Sequence, residues 1–439
     1  MSNLHADTVV FVRDTMIPPS DPPALETGVV KWMRENLFSG WLNTLLTVIG
    51  AIAVYFVAVE ALPWFLHGVW NAGSLSECRQ IIAERWGEGA SGACWAVIRE
   101  RWPQYLFGFY PNHLYWRPVL AFVLLFVALA PVLFVRVPRK LLWFSAIYPG
   151  LAFWLLWGGS LWLPAVILAG FAVGYLVFRI AAATDNAILS VGAAVLATLL
   201  WWYFVTGPLA SALNGIVPLG LEPVASDSFG GFVLSIVIGV TAIAFSLPMG
   251  IILALGRKSD MLLVKVICVG FIEFIRGVPL ITLLFTASLL LNYFLPPGTN
   301  FDIILRVIIM VTLFAAAYIA EVIRGGLAAL PRGQYEAADA LGLDYWKAQR
   351  LIIMPQALKI SIPGIVGVFI GLFKDTTLVI FVGLLDPLKG ITDAVRASTE
   401  WNGVYWEPFI FVGFLFFLIC FGMSRYSMYL ENKLKRDHR

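Results

Sequence analysis

Charged residues are scarce in this sequence: Asp, Glu, Lys and Arg make up 13% of the 439 residues, against about 25% in soluble domains. The net charge is only +3, and the basic residues form no patch with interleaved aromatic residues. Hydrophobic residues, by contrast, make up 60% of the chain. The composition therefore excludes an ordinary soluble domain, speaks against a nucleic-acid partner and predicts a membrane protein.

Several kinds of chemical site are also missing. The four histidines are scattered and form no constellation with the cysteines, so neither a metal site nor a nucleophilic site is predicted. A phosphate-binding loop requires G-x-x-x-x-G-K-S/T, and the nearest stretch, "GIILALGRKS" from Gly250, has the wrong spacing. We therefore expect no cofactor in this chain and no enzymatic activity of its own.

Apolar runs long enough to cross a bilayer recur along nearly the whole chain. About 20 residues span the hydrocarbon core as a helix, and none of the runs alternates as the strands of a membrane barrel do. The run 261–295 is too long for one straight span, and we expect it to bend at "RGVP", Arg276 to Pro279. We predict an all-α polytopic membrane protein with ten spans, at residues 40–66, 118–135, 141–158, 162–179, 187–206, 229–255, 261–295, 303–323, 358–384 and 407–424.

Lys and Arg are distributed unevenly among the loops, and this predicts the orientation because short cytoplasmic loops carry their excess. Segments 207–230 and 296–300 contain neither residue. We therefore place both termini in the cytoplasm, and these two segments and the long loop 67–117 on the outer side. The acidic residues of that long loop balance its arginines.

Polar segments before the first span and after the fifth divide the chain into an N-terminal and a C-terminal part. We predict a cytoplasmic N-terminal segment, a five-helix extension with the outer loop 67–117, an outer linker, a five-helix core and a basic cytoplasmic tail. Their bounds are 1–38, 39–206, 207–228, 229–426 and 427–439, and the core contains a cytoplasmic loop at 324–358.

Two of the four cysteines, Cys78 and Cys94, lie in the outer loop. An oxidising compartment would allow a disulfide between them, worth about 3 kcal/mol in the chain-entropy model, and the alternative is two free thiols. Cys268 and Cys420 lie inside apolar runs and are interpreted as packing residues.

The segment "GQYEAADALGLDYWKAQRLIIMP", Gly333 to Pro355, is too polar to stay in lipid. It predicts a short helix at about 334–341, ended by Gly342, and a second at about 345–353, ended before Pro355. The first helix carries three alanines, whose small side chains allow a partner to approach closely. The alternative is that both helices only pack on the end of their own bundle.

The same segment resembles the EAA loop of binding-protein-dependent ABC importer permeases. Glu336, Ala337 and Ala338 are followed at the family's spacing by Gly342, Ile352, Met354 and Pro355, with Met where Leu is usual. The stretches "EFIRGVPLI" from Glu273 and "GLFKDTTLVIFVGL" from Gly371 resemble the amino-acid branch. The run "AAYIAEVIRGGLAALPRGQYEAADALGL" and the outer-loop stretch "GACW" resemble the general or polar L-amino-acid permeases of the Aap/Bzt type.

This resemblance implies a type I importer core whose loop couples to a separate ATPase. It also implies a bacterial inner-membrane complex with a second related permease subunit, as a heterodimer, and two ATP-binding subunits that hold ATP and Mg. A periplasmic binding protein would deliver the L-amino acid, and the N-terminal spans would place loop 67–117 near it. The residues expected to contact the ATPase are Gly333, Tyr335, Glu336, Ala337, Ala338, Leu341, Gly342, Ile352, Met354 and Pro355.

Charged residues inside the spans are candidates for the substrate path, because an ionisable group at a helix centre costs about 2.5–3.5 kcal/mol on the insertion scale. The alternative for each is a structural ion pair. Glu273 and Arg276 stand one turn apart and are expected to pair on one face, as are Glu321 and Arg324, which we interpret as a structural brace below the loop. The path candidates are Lys374, Asp375, Thr376, Thr377, Glu273 and Arg276, with Asn292, Tyr293 and Tyr318 as further pore-lining polar groups.

Three other functions are weighed against an ABC permease. An ion-coupled secondary transporter of small polar solutes would carry ionisable groups in both halves, and here they lie mainly in the second half. A membrane-embedded enzyme would need a clustered catalytic site. A scaffold would bind without substrate-dependent ATP hydrolysis. The ion-coupled transporter is the main alternative.

Overall fold

The structure is a computed structural model that describes residues 28–184, 186–290, 293 and 301–436. Most of the predicted N-terminal segment, the end of the basic tail and the pore-lining candidate Asn292 lie outside the described residues.

Helices form most of the described part of the chain. A short antiparallel ribbon accompanies them, in which β1 (Gly159–Ser160) pairs with β2 (Gly220–Leu221). In chain order the α-helices are α1 (Gly28–Asn36), α2 (Trp41–Leu66), α3 (Leu75–Trp86), α4 (Ala96–Phe107), α5 (Trp116–Leu133), α6 (Leu142–Trp157), α7 (Trp162–Ala181), α8 (Ala187–Leu200), α9 (Thr206–Ile216), α10 (Gly231–Arg257), α11 (Leu262–Gly277), α12 (Leu280–Phe285), α13 (Ile303–Ala328), α14 (Arg332–Ala340), α15 (Tyr345–Ala348), α16 (Met354–Asp375), α17 (Pro387–Ala397) and α18 (Trp406–Arg436).

Nine helical segments of the described residues are long and apolar enough to cross a membrane, and one bent pair raises the number to ten. The prediction of an all-α membrane protein with about ten spans is confirmed. Two spans end later than predicted: α8 continues through a π-helical turn, Trp201–Val205, into α9 and ends at Ile216 instead of residue 206, and the last span ends at Leu434 instead of residue 424.

The predicted bend in the run 261–295 is present. Helices α11 and α12 meet at an angle of 106°, with the break at Val278 and Pro279. Pro279 supplies no backbone N–H and disfavours helical dihedrals at the residue before it, so the helix stops where the sequence places the proline.

The described chain forms two compact units. The smaller contains residues 28–69 and 79–93, and the larger contains 70–78 and 94–436. Helices α5–α9 of the predicted extension belong to the same compact unit as α10–α18. The division of the chain into an extension and a core at residues 207–228 therefore stays a prediction.

Helix α13 is the central helix of the larger unit and packs against α10, α11 and α16. Half of its most hydrophobic stretch is buried. Its buried face is rich in alanine and glycine, which let neighbouring helix backbones approach closely. A Cβ atom on Gly326, for example, would collide with Ser361 and lie 2.6 Å from the carbonyl oxygen of Ala357 on α16.

The end of the larger unit at which α13 begins, opposite the polar loop, carries the disulfide and is called the disulfide end below. Cys78 and Cys94 are bonded there, with their Cα atoms 6.1 Å apart. The bond ties the first turn of α3 to the segment that leads into α4. Both cysteines are fully or almost fully buried.

We expect the Cys78→Ala, Cys94→Ala double variant to unfold at a lower temperature than the parent chain. Closing a loop of 16 residues is worth about 3 kcal/mol in the chain-entropy model. Thermal unfolding with and without a reductant measures this: reduction should lower the midpoint of the parent and leave the double variant unchanged. Cys268→Ala with Cys420→Ala, at the free cysteines, is the control and should stay sensitive to reductant. Alkylation of both loop cysteines in the untreated protein would contradict the bond.

Candidate functional site

The polar loop after α13 folds as two short helices, α14 and α15. Helix α14 begins directly after Pro331, and Gly342, at φ +67°, terminates it in the left-handed conformation that favours glycine. Asp344 then caps α15, accepting a hydrogen bond from the backbone N–H of Lys347 at 2.9 Å. We call α14, α15 and the turn between them the coupling pair.

The second helix of the coupling pair does not end before Pro355, and that prediction was wrong. Helix α15 continues through a π-helical turn, Gln349–Ile353, into α16, in whose first turn Pro355 lies. A proline is tolerated there because the π-helical turn directly before it already departs from the α-helical hydrogen-bond pattern to which Pro355 has no N–H to contribute. The coupling pair is therefore joined to a membrane span by uninterrupted helix, from Tyr345 to Val382.

The residues of the EAA motif divide between an exposed and a buried side. Glu336 and Ala337 are exposed, whereas Ala338 is buried against the bundle. Gly333, Leu341, Gly342 and Pro355 are also exposed, Tyr335 and Ile352 are half-buried, and Met354 is buried. One part of the motif thus holds the pair in place and the other part is open to a partner.

Large apolar side chains are exposed on the coupling pair and the turn after it. Leu341 is 72% exposed, Trp346 70% and Leu351 63%, and Tyr345 lies beside Trp346 at 51%. These side chains stand among charged neighbours on a segment too polar for lipid. Exposed apolar groups rimmed by polar residues mark interaction sites.

Tyr335 anchors α14 to the larger unit. Its hydroxyl donates to the carbonyl oxygen of Leu327 at 3.4 Å, and the ammonium group of Lys258 lies 5.8 Å from the centre of its ring. A further hydrogen bond joins the side chains of Gln356 and Gln334 at 2.9 Å. The first helix of the pair is therefore held by α13, by α16 and by the residue that follows α10.

Three groups of the coupling pair have displaced pKa values, and burial raises the pKa of one of them, Tyr345. Burial raises the pKa of Tyr335, so its hydroxyl keeps its proton. The pKa of Asp344 is lowered, first by the backbone hydrogen bond from Lys347 and then by the ammonium group of the same residue, 2.9 Å away. Asp344 is therefore a carboxylate at neutral pH and serves as a charged cap of α15.

Directly below the loop, Glu321 of α13 binds three arginines from three helices. Its Oε1 accepts from Arg324, at 2.8 Å from Nε, and its Oε2 lies 3.3 Å from Arg257 and 3.6 Å from Arg276. Arg257 also pairs with Glu273 at 2.8 Å. We call these five residues the charge cluster. It joins the ends of α10, α11 and α13 where the chain leaves the last of them for the coupling pair.

The predicted pair of Glu321 and Arg324 is present in the structure, but Glu273 and Arg276 do not pair with each other. Each has a partner on another helix instead, Arg257 and Glu321 respectively. The one-turn spacing was misleading because the packing of α11 against α10 and α13 offers both side chains a closer partner. The sequence did carry a signal for such contacts, because Arg257 and Lys258 form a basic pair at the end of an apolar span.

The four path candidates from Lys374 to Thr377 lie where α16 ends and a 3-10 helix, Thr376–Val382, begins. Thr376 is fully buried and donates to the carbonyl oxygen of Phe373 at 2.8 Å, while Thr377 donates to that of Lys374 at 3.0 Å. Lys374 is exposed, and within the described ranges it forms no ion pair. The structure thus places these four residues at the change from α-helix to 3-10 helix. The ammonium group of Lys374 and the carboxylate of Asp375 do not form an ion pair.

Of the other polar candidates, Tyr318 lies under the guanidinium group of Arg276, 5.6 Å from the ring centre, and Tyr293 is exposed. In the part of the chain that the structure describes, no three His, Cys, Asp or Glu residues are placed to hold a metal ion. The coupling pair and the charge cluster are therefore the main polar features on this end of the spans.

Both features fall within a recognised family region. Residues 246–436 match the family described as "Binding-protein-dependent transport system inner membrane component". The matched region begins within α10 and contains the coupling pair, the charge cluster and the path candidates.

Relatives extend the likeness to almost the whole chain. The glutamate/glutamine/aspartate/asparagine transport system permease protein BztC of Rhodobacter capsulatus is 67% identical over 98% of this chain and 99% of its own length. The inner membrane amino-acid ABC transporter permease protein YhdY of Escherichia coli is 37% identical over 95% of this chain and 96% of its own. The glutamate/aspartate import permease protein GltK of Escherichia coli is 32% identical and covers 46% of this chain but 91% of its own length.

These relatives are transport permeases, and two of them match from end to end. Nothing among them supports the ion-coupled secondary transporter, which was the main alternative. The chain therefore belongs to the family of binding-protein-dependent ABC transporter permeases, in its amino-acid branch.

Proposed function

We propose that this chain forms half of a membrane path for acidic L-amino acids and their amides, and that its coupling pair binds a separate ATP-hydrolysing subunit. ATP and Mg belong to that partner. Closure of the ATPase dimer would move the coupling pair, and α16 would move with it. The path would then switch between its inward-facing and outward-facing states.

One observation carries this proposal: exposed apolar side chains on a helix pair whose second helix continues into a span. Leu341 and Trp346 are more than two-thirds exposed, and a second protein would cover them. Because α15 and α16 are joined without a break, a displacement of the coupling pair would be transmitted to the membrane-spanning helix α16.

The name of BztC supports glutamate, glutamine, aspartate and asparagine as the substrates. The exposed Lys374, which has no ion-pair partner among the described residues, would offer its ammonium group to a substrate carboxylate. Asp375, Thr376 and Thr377 stay proposals for the path on the same grounds of position. Glu273 and Arg276 are better explained by the charge cluster.

The assembly would lie in the bacterial inner membrane with the coupling pair and both termini in the cytoplasm. A second, related permease chain would complete the path, since one core supplies half of a pore at a two-fold or pseudo-two-fold interface. The boundary at 207–228 between extension and core is supported by the family region 246–436, which lies wholly on the C-terminal side of it.

The experiment is ATP hydrolysis by the purified complex in nanodiscs, with binding protein and a panel of L-amino acids. Glu336→Lys should lower the amino-acid-stimulated rate about tenfold or more, since a misplaced charge inside an interface costs about 1.4 kcal/mol or more. Glu431→Lys is the matched control, because it makes the same charge change on α18 outside the coupling pair.

Stimulation by aspartate and glutamate but not by cationic amino acids would identify the substrate class. Equal rates for the parent and the Glu336→Lys chain would contradict the placement of the ATPase contact. Absence of any response to amino acids would contradict the proposed transport itself.

A further inference from the structure

A cleft of about 750 Å³ opens at the disulfide end of the larger unit. One wall is the last turns of α4 and the turn that follows, including Arg101, Gln104 and Phe109. The other wall is α17, which contributes Asp393 and Ala397. The first wall lies outside the family region 246–436 and the second inside it. The cleft is therefore a feature that the N-terminal part of this chain adds to the core.

The two walls are fixed by contacts with one another and with α18. Trp401 is fully buried and donates its indole N–H to Glu100 at 2.8 Å. The backbone N–H of Cys94 donates to the buried carboxylate of Glu407 at 2.7 Å, and that of Leu75 to the carbonyl oxygen of Glu400 at 2.8 Å. The cleft is thus built in advance and does not depend on a partner to form.

The charges that line the cleft leave one carboxylate without a counter-ion. Glu100 lies 3.5 Å from the guanidinium group of Arg101 and also accepts from Trp401. Asp393 forms no ion pair with the residues that the structure describes. The lining therefore carries a net negative charge, and a cation would complement it. Phe109, which also lines the cleft, is 59% exposed.

The size of the cleft indicates what fills it. Pockets of about 300–1,000 Å³ take drug-sized ligands, and 750 Å³ is far more than a free amino acid would fill. A protruding protein loop with a lysine or arginine matches the volume, the negative charge and the exposed aromatic ring. The cleft also lies at the opposite end of the spans from the coupling pair, where the proposed ATPase does not reach.

We infer that this cleft is the docking site for a basic loop of the amino-acid-binding protein, with Asp393 as the counter-ion and Phe109 as an aromatic contact. The inference rests on the proposed function, which requires a binding protein at the outer face. It assigns the segment from α4 to Asn112 a role in choosing which binding protein this permease accepts.

Titration of the assembled complex with binding protein tests the inference. Asp393→Lys should raise the binding-protein concentration for half-maximal stimulation of ATP hydrolysis about tenfold or more, because a like charge then faces the basic loop. Asp227→Lys makes the same change on the same end, outside the cleft lining, and should leave that concentration unchanged. Equal values for the two variants would overturn the inference.

A photo-cross-linking residue at Phe109 gives an independent readout that does not depend on the stability of a charge variant. It should label the binding protein in the presence of substrate, whereas the same residue at position 227 should not. Labelling of the second permease subunit instead, or no labelling by a complex that still imports amino acids, would overturn the docking site while the proposed transport stands. A complex that imports no amino acid would overturn both.

Discussion

Replacing Glu321 by glutamine should lower the number of amino acids imported per ATP hydrolysed about tenfold or more. Its carboxylate is the shared partner of Arg257, Arg276 and Arg324. Glutamine has the same size but no charge, so Glu273 would be the only carboxylate left in the cluster beside three guanidinium groups. Hydrogen bonds to charged groups are worth about 1.5–3 kcal/mol each, so we expect a stability loss of about 2–3 kcal/mol, reduced by partial exposure. The ends of α10, α11 and α13 would no longer move together with the coupling pair. Uptake and hydrolysis measured in the same proteoliposomes give the ratio.

Glu273→Gln is the matched control, because it removes a carboxylate from the same cluster but only one contact. The Glu273 side chain is 53% exposed, and an exposed ion pair contributes about 0–1 kcal/mol. We therefore expect nearly normal coupling from it. A double variant, Glu321→Gln with Arg324→Met, should recover part of the loss, since it removes one of the unpaired charges. Equal losses in both single variants would mean that the cluster has no central residue.

The sequence predicts well what depends on neighbouring residues along the chain. The bend at Pro279 and the end of α14 at Gly342 follow from backbone restrictions of single residues. The continuation of the helix through Pro355 was not predicted, because it does not follow from the backbone restrictions of a single residue. A proline usually ends a helix, and only the preceding π-helical turn makes it compatible with a continuous one.

Contacts between distant segments were predictable only in part. The spacing of Glu321 and Arg324 indicated their pair, but nothing in the spacing indicates that Arg257 and Arg276 bind the same carboxylate. Those contacts depend on which helices pack together. The hydrophobic pattern of a helix identifies its buried face but not the helix that packs against that face. The cleft at the disulfide end was missed for the same reason, since its walls, α4 and α17, are far apart in the sequence and neither was predicted as a helix.

Replacing Gly108 by alanine should destabilise the disulfide end by about 3 kcal/mol or more. Gly108 ends α4 at φ +66° and ψ −124°, a conformation that residues with a Cβ rarely adopt. It also forms a backbone bridge to Phe229, and an added Cβ would lie 2.7 Å from the backbone nitrogen of Gly230. The wall of the cleft would be pushed away from the start of α10, so the variant should unfold at a temperature about 5–10 °C lower and dock binding protein weakly.

Gly159→Ala separates the cost of the backbone conformation from the cost of the close approach to Gly230. Gly159 has a similar φ of +75°, but nothing lies within 4 Å of an added Cβ, so only the conformational cost of about 1–2 kcal/mol remains. Thermal unfolding of both variants in the same detergent measures the difference. If Gly108→Ala unfolds at the same temperature as Gly159→Ala, the close approach of Gly108 to Gly230 does not hold the two segments together. A larger loss for Gly108→Ala, together with weaker binding-protein stimulation, would mean that the added N-terminal segment and the core form one extramembrane surface at this backbone contact.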